Sequence, residues 1–379
     1  MRTLGFAARC LVVGIALGFA AEAAEAGKPR VYVVLIDGLD ARVVSADATP
    51  ALWQLSRSGT FYPRGRAVMP TVTNTNHVSI VTGAYPEAHG ITGNRYWNGT
   101  KVAALDSGDL IEVETLFTVA RTSRKPIRTA GIFGKTKLAE LFGEAGTQRS
   151  PHHVWADRQT ESEDESKHRG SDRRTMDEML RTIAAEDPDF VFVNLGDVDR
   201  RSHVVGPRSP EVREAIAEAD RQIERLVAFL KERRLWRHVV LMLTSDHGFT
   251  PIDRSHEPRN PVISFGEALT RAGFEEFVAV ASGRTEYLYA RDSTPRAGER
   301  LKALRALALH QPGIAEALYR LPQPADGGES HRVDRVHPDW RLGHERAGEI
   351  VLVAGPGHVF VDPFNPFALE TRGSHGGPA

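Results

Sequence analysis

The stretch Pro70-Thr71-Val72-Thr73-Asn74-Thr75-Asn76-His77 gathers hydroxyl and amide side chains ahead of a short apolar run, Val78-Ser79-Ile80-Val81, that ends at Thr82-Gly83. The pattern predicts a helix start. Its unpaired N–H groups and partial positive charge suit an anion such as phosphate. A hydroxyl at that point becomes a nucleophile only when something lowers its pKa. Taken alone, the stretch is accounted for by ordinary helix capping. The rest of the chain supplies what capping does not need: Asp37, then Asp197, Asp199 and His203, then Asp246 and His247, and finally His375. Asp and His at these spacings suit two metal ions.

Three apolar runs must position most of these groups. Val31-Tyr32-Val33-Val34-Leu35-Ile36 is near-continuous and β-rich, as expected of a strand buried on both faces of a parallel sheet. It ends in Asp37-Gly38, placing a carboxylate at the strand's carboxyl end, where open α/β sheets bind ligands. Phe190-Val191-Phe192-Val193 leads into Asp197, Asp199 and His203, and the last two are four apart, so a helical turn gives them one face. Val239-Val240-Leu241-Met242-Leu243 ends in Ser245-Asp246-His247-Gly248, and Gly373-Ser374-His375-Gly376 closes the series. Singly, an Asp after a strand forms a turn, an Asp-His dipeptide is a hydrogen-bonded pair, and a His among glycines is solvated. Jointly, three strands deliver acid and imidazole to the same edge of one sheet. That predicts a metal site.

In this order the anchors resemble the alkaline phosphatase superfamily, specifically its nucleotide pyrophosphatase/phosphodiesterase (type I phosphodiesterase) branch, from about Val31 to His375. They are Leu35-Ile36-Asp37-Gly38, Pro70-Thr71-Val72-Thr73 with Asn76-His77, Ile80-Val81-Thr82-Gly83, Tyr85-Pro86-Glu87 with His89-Gly90, Asp199 to His203 before Gly206-Pro207, Ser245-Asp246-His247-Gly248 and Ser374-His375-Gly376. The resemblance implies an alkaline-phosphatase-like three-layer α/β/α sandwich around a mostly parallel sheet, with loop insertions. It also implies two zinc ions, or another divalent metal. Asp199, His203 and His375 would hold one, and Asp37, Asp246 and His247 the other, with Thr73 on the second metal as nucleophile. Mixed imidazole and carboxylate ligands suit zinc. Asn76 and the backbone N–H of Asn74 would grip a phosphoryl oxygen. The expected activity is hydrolysis of a small-molecule phosphodiester or pyrophosphate through a threonyl-phosphate. Asp197 is set aside because the gap of four favours Asp199. His77 and His89 occupy positions the family does not use as ligands and read as structural, and His152-His153 as solvated.

The chain also departs from the family pattern. Nucleotide-cleaving members carry an aromatic after the nucleophile, where this chain has Asn74, and the next positions of note are Thr75 for Pro and Ser202 for Gly. A Thr-Asn pair also resembles the phosphonoacetate hydrolase branch, which cleaves a carbon–phosphorus bond on a similar frame and is the alternative reading. A non-catalytic, metal-dependent anion-binding protein is a third. A sulfatase is disfavoured, since no Cys or Ser stands at a formylglycine-type position.

Residues 1–26 have signal-peptide architecture: Arg2 and Arg9, an apolar stretch from Cys10 to Ala21, and small-residue exits at Ala21-Glu22-Ala23 and Ala24-Glu25-Ala26. Export to a bacterial periplasm or the cell exterior is the expectation. Cys10, the only cysteine, lies in that segment, so residues 27–379 can form neither a disulfide nor a thiolate metal site. Forty-eight basic against forty-nine acidic residues give no net field that selects nucleic acid or membrane. Residues 27–379 read as one hydrolase domain with a polar insertion over 149–174 and an excursion over about 251–351 before the last ligand. Pro210 to Arg234 reads as an amphipathic helix.

Overall fold

The computed structural model describes residues 29–378 except 126, 144–149, 161–170, 253, 255–260, 292–297, 323–327 and 364–368. Residues 1–26 and the acidic run Glu161 to Lys167 lie outside the described residues.

Five parallel strands form the central sheet: β1 (Arg30–Ile36), β2 (Thr129–Phe133), β3 (His153–Ala156), β4 (Phe190–Leu195) and β5 (Val239–Thr244), in the order β3-β2-β4-β1-β5. β1 lies between β4 and β5 and is buried because its side chains are apolar on both sides. Tyr32, Val34 and Ile36 face one layer and Val33 and Leu35 the other. The first layer holds α1 (Pro50–Ser58), α4 (Ser171–Glu186) and α6 (Pro210–Glu232). Met176, Met179, Ile216, Ile223, Leu226 and Leu230 from these helices pack on Val191 and Val193. The opposite layer includes α2 (Thr73–Thr82) and α3 (Thr136–Leu141), whose Val78, Val81 and Leu138 pack with Phe117 on Phe133 and Phe192. Helices on both faces of a parallel sheet make the expected three layers. The predicted amphipathic helix is α6, started by Ser209 Oγ accepting from Val212 N at 3.1 Å with Pro210 in its first turn.

β5 differs from the other two apolar runs. It is the edge strand, so Val240 and Met242 stand more than half exposed while Val239, Leu241 and Leu243 pack on the sheet's other layer. The excursion after residue 251 contains a second sheet of antiparallel strands: β6 (Phe277–Ser282), β7 (Thr285–Ala290), β8 (Ile314–Tyr319) and β9 (Ile350–Ala354), in the order β6-β7-β9-β8. It buries its own apolar cluster around Phe265, Leu288, Leu301, Leu304 and Leu352. Its turn at Gly283 holds the segment bearing His375. Arg284 N donates to His375 O at 2.8 Å, and Thr285 Oγ1 donates to Gly376 O at 2.5 Å. Gly283 and Gly376 both have positive φ, and a Cβ on either would fall within 2.3 Å of a facing carbonyl oxygen. The second sheet thus fixes the last predicted ligand.

Candidate active site

Asp37 leaves the end of β1, and Gly38 follows with φ of 77°. A Cβ at Gly38 would lie 3.2 Å from Asp199 Cα, so glycine lets two carboxylate-bearing segments approach. Asp199 and His203 lie four apart on α5 (Asp197–Val205), which follows β4. Asp246 and His247 follow β5, and Thr73 is the first residue of α2. Asp37, Thr73, Asp199, Asp246, His247 and His375 are all buried, and His203 is half-buried. The structure brings all seven predicted metal-site residues to the carboxyl edge of the central sheet.

The hydrogen bonds orient the donor set. His203 Nδ1 lies 3.1 Å from Gly373 O, His375 Nδ1 2.9 Å from Thr71 O, and His247 Nδ1 3.2 Å from Gly248 O. Each ring therefore donates Nδ1–H to a carbonyl and keeps an Nε2 lone pair. Those Nε2 atoms point at carboxylate oxygens. His203 and His375 each lie 3.6 Å from Asp199 Oδ1, and His247 lies 3.5 Å from Asp37 Oδ1 and 3.4 Å from Asp246 Oδ2. His203 and His375 present Nε2 to Nε2 at 3.2 Å, a separation at which two lone pairs repel unless a proton or a metal cation lies between them. Asp37 Oδ1, Asp199 Oδ1, Asp246 Oδ2 and His247 Nε2 are buried and lack a hydrogen-bond partner. Tetrahedral zinc with bonds of about 2.1 Å separates its ligands by about 3.4 Å, close to these spacings, and the ligand atoms of Asp199, His203 and His375 form one group of ligand type and those of Asp37, Asp199 and His247 another.

Protonation agrees with ligation. Burial pushes the Asp199 carboxyl up, but Lys135 and the three imidazoles outweigh it and hold it well below the usual range. Asp246 is likewise lowered, with burial overcome by His247 and His77. Burial and the neighbouring His247 and His203 hold His375 neutral, and burial lowers His203. Asp37 is raised by burial and by Asp246. Asp199 and Asp246 held anionic beside His203 and His375 held neutral are what a dication requires, and Asp37, raised by burial and a like charge, is the carboxyl that a nearby dication would return to the anion.

Asp199 rather than Asp197 faces the cluster. Asp197 accepts from Asp172 N at 3.1 Å and pairs with Arg200 at 3.0 Å. His77 lies beside the site, 3.4 Å from Asp246 Oδ2, and with Asp37 and Asp246 forms a further group of ligand type. Its two nitrogens are already used: Nδ1 bonds Thr73 O at 2.9 Å and Nε2 takes a bond from Asn194 Nδ2 at 3.1 Å. His77 braces the turn that carries Thr73. His89 is bonded to Ser79 Oγ at 2.8 Å and also serves the fold. Among the other histidines, His152 is exposed, but His153 pairs with Glu178 and Glu186 at 3.2 and 2.9 Å, which corrects its reading as solvated.

Asn76 needs correction. Its Nδ2 lies 3.1 Å from each of the carbonyls of Val68, Pro70 and Val72, and its Oδ1 accepts from Val68 N at 2.8 Å. The amide secures the loop before α2 and has no hydrogen left for a phosphoryl group. The Asn74 backbone N–H is also engaged, by Asn94 Oδ1 at 3.2 Å. Asn74 is itself buried, with Nδ2 on Leu105 O at 2.9 Å, so that position does not open toward a stacking partner.

Four residues escaped the sequence reading. Asn94 lies beside the first turn of α2, half-buried, with no described partner for its Nδ2. Asn194, at the end of β4, donates from Nδ2 to Asp37 Oδ2 at 2.9 Å as well as to His77. Phe249 wedges edge-on among His203, His247 and His375, with centroids 4.9, 5.7 and 5.2 Å away. Lys135 follows β2 and reaches Asp199 Oδ2 at 2.6 Å, Asp37 Oδ2 at 2.8 Å and Thr73 Oγ1 at 3.4 Å. A polar residue just past an apolar strand was the available signal for Asn194 and Lys135. The short strand containing Gly131 obscured the latter.

A parallel sheet that gathers three carboxylates and three imidazoles around a threonine at a helix start defines an alkaline-phosphatase-like hydrolase fold. The chain matches the sequence model of type I phosphodiesterase / nucleotide pyrophosphatase over residues 31–378 and belongs to that family. It is 26% identical over 243 residues to human ectonucleotide pyrophosphatase/phosphodiesterase family member 7, covering 61% of this chain and 50% of that one. It is 32% identical over 212 residues to the venom phosphodiesterase of Macrovipera lebetinus, covering 54% and 23%. The chain spans about half or less of the length of these curated relatives in the matched regions. Murine ectonucleotide pyrophosphatase/phosphodiesterase 5, an inactive threonine-to-alanine form in complex with AMP, superposes with a TM-score of 0.70 at 20% identity, covering 92% of this chain and 84% of that one. Phosphonoacetate hydrolase from Sinorhizobium meliloti in complex with phosphonoformate gives 0.67 at 20% identity, covering 92% and 87%.

Proposed function

We propose that the protein is a two-zinc phosphodiesterase or nucleotide pyrophosphatase that works through a threonyl-phosphate. The observation that carries this reading is the convergence of buried, partnerless ligand atoms beside Thr73. Asp199, His203 and His375 would hold one ion, and Asp37, Asp246 and His247 the other. Bound there, divalent ions would lower the pKa of a hydroxyl and neutralise charge growing on the attacking and departing oxygens. Thr73 Oγ1 attacks phosphorus, the bond to the departing alcohol or phosphate breaks, and the phosphoryl group passes to Thr73. Water then releases it and restores the hydroxyl. The Asn94 amide donates to a non-bridging oxygen, the role Asn76 cannot fill, and the positive end of α2 faces the same charge. The inactive, AMP-bound threonine variant of the murine relative supports Thr73 as nucleophile.

A second reading has its own observation. Lys137 is half-buried beside Lys135 and has no ion pair or hydrogen bond among the described residues, and burial and Lys135 lower its pKa to about 8. Two ammonium groups at one wall favour a substrate with an extra anionic group, such as the carboxylate of phosphonoacetate. Hydrolysis of an aryl phosphodiester, an aryl phosphomonoester, a dinucleotide and phosphonoacetate, with chelator and then with zinc restored, tests both. The first reading expects chelator-sensitive diester cleavage. Cleavage of phosphonoacetate alone selects the second, and cleavage of none of them overturns both.

A further inference from the structure

We propose that Lys135 is a built-in counter-ion whose charge opposes the metals at both half-sites, so that the two ions load as a linked pair. The inference rests on the two-metal reading and concerns how that site fills. The Lys135 ammonium lies 2.8 Å from Asp37 Oδ2 and 2.6 Å from Asp199 Oδ2. Asp37 belongs to one proposed ligand trio and Asp199 to the other. One ammonium therefore straddles both half-sites.

Its position is fixed by the fold. Lys135 sits between the end of β2 and the start of α3, and the preceding Gly134 donates its N–H to Asn194 O at 2.9 Å. Asn194 in turn holds Asp37 Oδ2 at 2.9 Å. The lysine side chain is 11% exposed, so little water shields its charge.

Charge sets the competition. Asp37, Asp199 and Asp246 offer three negative charges to the cluster. One ammonium leaves a deficit that draws in a dication, whereas two dications exceed the carboxylate charge and repel the ammonium. The ammonium holds the Oδ2 atoms and leaves Oδ1 of both carboxylates facing the imidazoles, so an ion entering either trio meets a positive charge shared with the other. An ion that drives the ammonium away relieves that repulsion for the second. Removing the ammonium should therefore tighten the first binding step on the order of tenfold or more, and the second step far less.

The test is zinc titration of chelator-stripped protein against a competing chromophoric chelator, for wild type and Lys135→Met. The expected result is two zinc ions in each, with the first step tighter in the variant. If wild type binds two ions and the variant's first step is equal or weaker, the counter-ion role is overturned while the two-metal reading stands. If wild type binds none, both fall. Reductive methylation of wild-type Lys135, followed by mass spectrometry of its peptide, gives a reading that needs no variant. Labelling should accelerate as zinc is added, and an unchanged or slower rate would overturn the proposal.

Discussion

Two polar clusters meet at the start of α2, and their hydrogen bonds are arranged in opposite ways. In the carboxylate–imidazole cluster, Asp37, Asp199, Asp246 and His247 each leave a buried atom without a partner. In the amide cluster, Asn76 makes four bonds to the backbone and Asn74 reaches Leu105, leaving its Oδ1 as a single unpartnered acceptor, while Asn94 keeps an unused donor, Nδ2. Burying a polar atom without a partner costs stability, so a fold that gathers several at one point has kept them for a ligand. Residue type alone does not separate chemistry from scaffolding here. The convergence of several unused lone pairs on one point, or an unused N–H beside it, does.

The largest effect should come from Thr73→Ala. Losing the hydroxyl should cut kcat at least about a thousandfold. A helix-start change of this size should move stability by only ~1 kcal/mol, which thermal unfolding would register. A variant keeping a tenth of wild-type kcat would remove Thr73 from the chemistry.

The two asparagines sharpen the contrast. Asn94→Ala should lower kcat by about a hundredfold, as loss of one oxyanion donor does, and leave unfolding nearly unchanged. Asn76→Ala should cost ~2–3 kcal/mol by stranding carbonyls and the Val68 N–H, with any activity loss following from that instability. Denaturant unfolding beside steady-state kinetics separates the two, and the reverse assignment of effects would contradict the hydrogen-bond reading.

Lys137 should matter only for substrates with a second anionic group. Lys137→Met should lower kcat/KM for such a substrate by about tenfold, the worth of a charge-assisted contact, and spare a simple aryl diester. The lysine is cationic below its value of about 8, so the wild-type advantage should fade as pH rises through that value. A pH profile identical in wild type and variant would dismiss it.

The smallest effect concerns an orphaned carboxyl away from the site. Glu286 on β7 is buried with both oxygens unpartnered, and burial together with Asp362 raises its pKa well above 4.5. The folded state then holds a proton that the unfolded chain gives up. Its contribution is intact below about pH 4.5 and is lost as pH climbs toward the folded value. Glu286→Gln should therefore gain stability over wild type from pH 5 to pH 8, by at most ~1.4 kcal/mol per unit. A difference independent of pH would mean that Glu286 does not carry the proton.

What was legible in the sequence follows from the same physics. Asp37, Asp199, His203, Asp246 and His247 could be found because apolar strands announce their own ends and a helix pairs positions four apart. His375 was found through the family resemblance, since only the second sheet, assembled from the excursion, brings it across to Thr71. Asn76 was misassigned because one helical turn turns its amide back onto the preceding loop. Asn94 reaches Asn74, and Lys135 reaches Thr73, from segments distant in sequence, and no local period marks such contacts. The exposed face of β5 was equally hidden, because an apolar run does not say whether a strand is central or at an edge.

The central claim is that the partnerless lone pairs exist to bind two ions. Metal analysis of the purified protein by mass spectrometry, alongside His203→Ala, His375→Ala and Asp246→Asn, tests it directly. The account predicts two zinc equivalents in wild type, loss of about one in either histidine variant, and weakening of the other site in Asp246→Asn. A single ion in wild type, or full occupancy in the histidine variants, would contradict it.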